Sequence, residues 1–170
     1  MRKTLQILIL LTFGLNLSAQ NVIIKSEIKV DSTDLKITQS DFEYYVYSSF
    51  DNKKTDSLIV TIANVGTGVT AIKIDLTEKP KAYITLWSDY SEYEGENTLN
   101  IEFEYYDLEI NATKFKKGER IMGRIKGKSK IISNNSGGYQ IEFDGEFSHV
   151  IGKLMIKKKA EQNYRIIDNK

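Results

Sequence analysis

A single histidine, His149, stands in a chain of 170 residues that contains no cysteine. That limits the chemistry at once. Acyl transfer through a serine needs a histidine in hydrogen-bond reach of the nucleophile. Ser148 precedes His149, but neighbours on a strand point to opposite faces, so only a serine from elsewhere in the chain could meet the ring. The bland alternative is a strand-end histidine opposite Ile121. A zinc site draws on several imidazole or thiolate ligands, and one histidine without a thiol does not supply them. Carboxylate chemistry needs two acids about 5–10 Å apart with one pKa raised. The chain has 23 acids, and no pair stands out among them. Glu142, Asp144 and Glu146 are already accounted for by nearby lysines. The residues therefore read as non-catalytic, with no catalytic residue, metal or cofactor assigned; a carboxylate-dependent glycosidase is the enzymatic alternative.

Residue types suited to binding are more plentiful. The stretch from Trp87 to Asn97 combines Trp87, Tyr90 and Tyr93 with Asp89, Glu92, Glu94 and Glu96. Aromatic rings beside carboxylates suit sugar rings or cationic groups. The acids could also serve calcium, which wants six to eight oxygens, though the spacing is not that of a known calcium loop. A solvated acidic loop explains the same residues. Tyr44, Tyr45 and Tyr47 with Phe50 make a second aromatic cluster, in which alternation sends Tyr45 and Tyr47 to the face opposite Phe42, Tyr44 and Val46. Tyrosine-rich surfaces serve as contact sites, and strand propensity favours tyrosine here equally. Trp87, Tyr90, Tyr93, Tyr45 and Tyr47 are the candidate partner-binding residues. Lys114, Lys116, Lys117 and Arg120 form a basic end, whereas Arg124, Lys126 and Lys128 have acidic partners. Gly66-Thr67-Gly68 reads as a hairpin turn, because no helix follows to hold a phosphate.

These side chains need elements to position them, and the dominant period is two, the mark of half-buried strands. Leu58, Val60 and Ile62 share a face. So do Ile72, Ile74 and Leu76, and again Ala82, Ile84 and Leu86, with Tyr83, Thr85 and Trp87 opposite. A turn over Asn64 to Gly68 would set Ile62 opposite Thr70, Val60 opposite Ile72 and Leu58 opposite Ile74. A second hairpin registers more firmly. Setting Ile131 opposite Tyr139 pairs Lys128 with Glu142, Lys126 with Asp144 and Arg124 with Glu146. Its other face pairs Gly127 with Phe143, Gly123 with Phe147 and Ile125 with Gly145, so that rings cover bare backbone. A slip of one residue destroys both patterns. In Thr98 to Ile110 the apolar parity changes after Tyr105, which predicts a bulge near Tyr105-Tyr106. Ile151 to Ile156 reads as a last strand, broken at Gly152.

The fold expected is all-β, an antiparallel sandwich of about 8–10 strands in mostly meander order; the alternative is a closed calycin- or lipocalin-like barrel carrying a small apolar ligand. Residues 1–19 have the layout of a cleavable signal peptide: Arg2 and Lys3, an apolar run from Leu5 to Leu17, then Ser18 and Ala19. Residues 20–159 form a single domain, and 160–170 read as a loose tail. Removing Arg2 and Lys3 takes the basic count from 24 to 22 against 23 acids. That balance gives no reason to expect nucleic acid as a partner. No membrane-spanning segment is expected after cleavage. The leader resembles those of small exported proteins of Gram-negative bacteria, which implies a periplasmic or extracellular protein. Asp31-Ser32-Thr33 and Asp56-Ser57-Leu58 resemble an O-glycosylation acceptor pattern found on such proteins. The expectation is an exported binding domain, in the manner of a periplasmic inhibitor or immunity protein, whose partner is a protein or cell-envelope component.

Overall fold

The computed structural model describes residues 20–37, 44–50, 57–64, 68–77, 79–88, 97–134, 137–157 and 164–168. The expected leader, Phe42, Asp56, Gly66-Thr67 and the loop residues 89–96 lie outside them. The described residues form strands and no helix. In chain order these are β1 (Gln20–Ile24), β2 (Asp34–Ile37), β3 (Tyr44–Phe50), β4 (Leu58–Asn64), β5 (Gly68–Leu76), β6 (Lys81–Ser88) and β7 (Thr98–Ile101). There follow β8 (Phe103–Ile110), β9 (Arg120–Ser129), β10 (Ile132–Asn134), β11 (Gly137–Tyr139), β12 (Glu142–Val150), β13 (Lys153–Lys157) and β14 (Tyr164–Asp168). The count exceeds the sequence expectation because breaks such as that at Glu102 divide long strands and because β14 lies in the residues expected as a tail.

Two sheets result. One runs β1-β8-β9-β12-β2, the other β14-β13-β3-β4-β5-β6-β7, and β10-β11 forms a short ribbon. The run from β3 to β7 is a pure antiparallel meander. The exception to antiparallel order is β1, which pairs parallel with β8. The chain changes sheets at Glu102, between β7 and β8. There Lys130 N donates to Glu102 O at 3.0 Å, and the Lys130 ammonium donates to the Glu102 carboxylate at 2.5 Å.

Alternation places the core between the sheets. Val60, Ile62, Ile72, Ile74 and Ile84 from one sheet and Leu108, Ile110, Ile121 and Phe147 from the other are fully buried, within one continuous apolar cluster. Each such side chain contributes about 1.5–3 kcal/mol relative to exposure. Phe103 packs against both Tyr106 and Phe143, with ring centroids 5.1 and 5.7 Å apart. The Tyr106 hydroxyl accepts a hydrogen bond from Ala82 N in the facing sheet at 3.3 Å. The sheets do not close into a barrel. That corrects the closed-barrel alternative for the fold.

In the β4-β5 hairpin the parity is as expected but the register is two residues wider. Ile62 faces Ile72, Val60 faces Ile74 and Leu58 faces Leu76. The Asn64 side chain explains the difference. Its carboxamide oxygen accepts from Thr70 N at 2.5 Å and its NH2 donates to Gly68 O at 3.2 Å. These bonds hold the mouth of a longer turn. The β9-β12 ladder carries Lys128–Glu142, Lys126–Asp144, Arg124–Glu146, Gly127–Phe143, Gly123–Phe147 and Ile125–Gly145. Ile132, not Ile131, faces Tyr139, so an extra residue enters between β9 and β10. Ile131 is consequently 69% exposed and Ile132 is 5% exposed. The bulge expected near Tyr105-Tyr106 lies between Phe103 and Tyr105. It turns Tyr105 outward while Phe103, Tyr106, Leu108 and Ile110 all stay inside. At the C-terminal end, β14 pairs with β13 where the sequence reading has a loose tail.

Candidate binding faces

The outward side of the seven-stranded sheet carries most of the aromatic candidates. Pairing places Tyr47, Thr61, Lys73 and Tyr83 in one row across β3 to β6. The next row holds Tyr45, Ala63, Ala71, Thr85 and Asn100. Trp87 follows on the same side, between Val69 and Thr98. Tyr45 and Tyr47, two residues apart on one strand face, stack with ring centroids 5.8 Å apart and planes at 19°.

Between these rings the sheet carries small residues. Thr61, Ala63, Ala71 and Thr85 are buried even though they point away from the core. Burial raises the Tyr83 pKa, and Asp75 and Tyr47 add to it. Burial and the neighbouring Tyr47 raise Tyr45 as well. Tyrosines on a sheet side with small neighbours present ring surface and hydroxyls together, the amphipathic character typical of contact sites. Trp87, 37% exposed, extends this surface. Tyr90 and Tyr93 lie outside the described residues. Tyr83 belongs to the group although the sequence reading does not single it out; its parity with Trp87 was the available signal.

The outward side of the five-stranded sheet is different. One row reads Asp107, Lys126, Asp144, Lys36, with signs alternating from β8 to β2. The next reads Glu109, Arg124, Glu146, Asp34. Ion pairs join Arg124 to Glu146 and Lys126 to Asp144 at 3.5 Å, and Lys128 to Glu142 at 3.2 Å. Lys25 pairs with Glu109. An open groove of about 630 Å³ runs over these residues. Its walls include the Arg124–Glu146 and Lys126–Asp144 pairs together with Asp34, Asp107 and Glu109, an excess of acid; each exposed ion pair contributes about 0.2–1 kcal/mol.

His149 is completely buried, and its Nε2 lies 3.0 Å from Ser48 Oγ on β3. Ser48 Oγ also accepts from Gly152 N at 2.8 Å. A distant serine does meet the ring, while Ser148 Oγ instead accepts from Arg120 at 2.8 Å. His149 Nδ1 has no partner, so no carboxylate orients the ring as a catalytic triad requires. Burial, and secondarily the Arg120 charge, lowers the His149 pKa to about 4. The pair ties the sheets together beside the turn at Ile151-Gly152. No carboxylate side chain is buried among the described residues, nor is any group of three His, Asp or Glu placed to hold a metal among them. At the basic end, Lys116 N donates to the Glu119 carboxylate at 2.7 Å, and the Lys117 stem lies over Gly152.

No protein-family model, curated protein or solved structure matches the chain.

Proposed function

We propose that this chain is an exported, non-catalytic β-sandwich that binds a protein or cell-envelope component through the aromatic side of its seven-stranded sheet. The observation that carries the reading is the grouping of Tyr45, Tyr47, Tyr83 and Trp87 on one outward side over a floor of Thr61, Ala63, Ala71 and Thr85. An inhibitor or immunity role fits, since such proteins act by occupying a partner's surface. Export is supported by the residues of the leader. The test is capture from an envelope extract with the wild-type chain and with Tyr47→Ala beside it. A component retained by the first and lost by the second supports the reading. Equal capture by both contradicts it.

A further inference from the structure

We infer that β1 pairs edge to edge with β1 of a second copy, in an antiparallel junction whose two-fold axis passes through Ile23. β1 ends the five-stranded sheet, so among the described residues one of its edges has no neighbouring strand. Lys25 N donates to Ile110 O, which fixes the phase of the ribbon. The backbone groups of Asn21, Ile23 and Lys25 are turned toward β8, and those of Gln20, Val22 and Ile24 face the open edge. A partner of this edge must therefore be an extended strand.

The side chains indicate which strand. Proteins protect open edges with charge, proline or bulges. At the other end of its sheet β2 carries Asp34 and Lys36, whereas β7, an end of the other sheet, is Thr-Leu-Asn-Ile and uncharged like β1. β1 is Gln-Asn-Val-Ile-Ile, with Ile23 38% and Ile24 50% exposed on its two sides. Antiparallel pairing through Ile23 sets Val22 opposite the partner's Ile24, twice, with backbone bonds exchanged at both. Ile23 then faces the partner's Ile23 as a non-hydrogen-bonded pair, where Cα atoms approach to about 4.5 Å and side chains are closest. Lys25 faces the partner's Asn21, and Asn21 adjoins Asp107 on β8. Each Lys25 ammonium thus approaches the partner's Asp107 as well as its own Glu109. A shift by one residue, through Val22, would oppose Ile24 with Gln20 and Ile23 with Asn21. Only the Ile23-centred register matches apolar to apolar without opposing like charges. The junction is isologous and closed, so it yields a dimer and not a fibre.

The absence of native cysteine makes the test direct. The protein, as its own cell processes it, is examined by light scattering across a concentration series. The proposal expects a dimer that Ile23→Lys converts to monomer with an unchanged circular dichroism spectrum. Mild oxidation of Ile23→Cys should give a covalent dimer, because a non-hydrogen-bonded cross-strand pair brings Cβ atoms within disulfide reach. Ile131→Cys, at a position more exposed than Ile23 (69% against 38%) and outside the edge strand, should cross-link at least tenfold more slowly. A monomer at 100-fold above its working concentration, a dimer indifferent to Ile23→Lys, or equal cross-linking of the two cysteine variants would each overturn the proposal.

Discussion

His149 Nε2 and Ser48 Oγ, 3.0 Å apart, join β12 of one sheet to β3 of the other. The ring is neutral in the folded protein because burial and Arg120 hold its pKa near 4, against about 6.5 in an unfolded chain. Between those values the unfolded state takes up a proton that the folded state refuses. Stability from this group is complete above about pH 6.5 and falls as the pH drops toward 4, by about 3 kcal/mol in all. Urea denaturation of wild type and His149→Phe at pH 7 and pH 4 checks this. The wild type should lose about 3 kcal/mol more than the variant over that interval. Parallel losses would show that His149 is not the group responsible.

The glycines of β9 predict a packing cost. A Cβ on Gly127 would lie 2.8 Å from Tyr105 O and 2.8 Å from Tyr106 Cβ. Backbone cannot yield as a flexible side chain does, so Gly127→Ala should destabilise by about 1–3 kcal/mol. Denaturant midpoints measure it. Gly118→Ala is a different case, since nothing lies within 4 Å of its added Cβ and only its φ of +90° opposes the change.

The charge row on the five-stranded sheet makes a less obvious prediction. Exchanging one isolated ion pair usually restores stability. Here Lys126 lies between Asp107 and Asp144, and Asp144 lies between Lys126 and Lys36. The double exchange Lys126→Asp with Asp144→Lys would put acid beside Asp107 and base beside Lys36. It should remain about 0.5–1 kcal/mol less stable than wild type, and the deficit should shrink in 1 M salt as charges are screened. Full recovery at low salt would mean that the row does not act as a unit.

How far the sequence alone reaches is clearest in this hairpin. The Lys–Glu and Gly–Phe patterns admit one register because they sit on opposite sides and must agree. The β4-β5 turn lacked such a double constraint. Alternation left shifts of two residues equivalent, and the carboxamide of Asn64, which separates them, acts through hydrogen bonds that periodicity does not reveal. The parallel placement of β1 was likewise hidden, since a parallel edge strand has the same alternation as an antiparallel one. The aromatic group was half legible. Tyr45 and Tyr47 follow from local parity, but that Tyr83 shares their side of the sheet depends on strand order across β3 to β6.

The extra residue between β9 and β10 separates two adjacent isoleucines. Ile132, 5% exposed, should cost about 2–4 kcal/mol on truncation to alanine. Ile131, 69% exposed, should change stability by less than about 0.5 kcal/mol. Thermal midpoints of the two variants distinguish this register from the one with Ile131 facing Tyr139, which reverses the order.

In the proposed function the aromatic side, not the charged side, makes the contact with a partner. Once a component has been captured, its affinity is measured by calorimetry against wild type, Tyr45→Ala with Tyr47→Ala, and Lys126→Ala with Asp144→Ala. Buried aromatic anchors contribute about 2 kcal/mol or more each at protein contacts. The tyrosine variant should therefore bind at least about 30-fold more weakly, and the charge variant should stay within about twofold of wild type. Unchanged binding by the tyrosine variant, with loss in the charge variant, would place the contact on the other sheet and contradict the account.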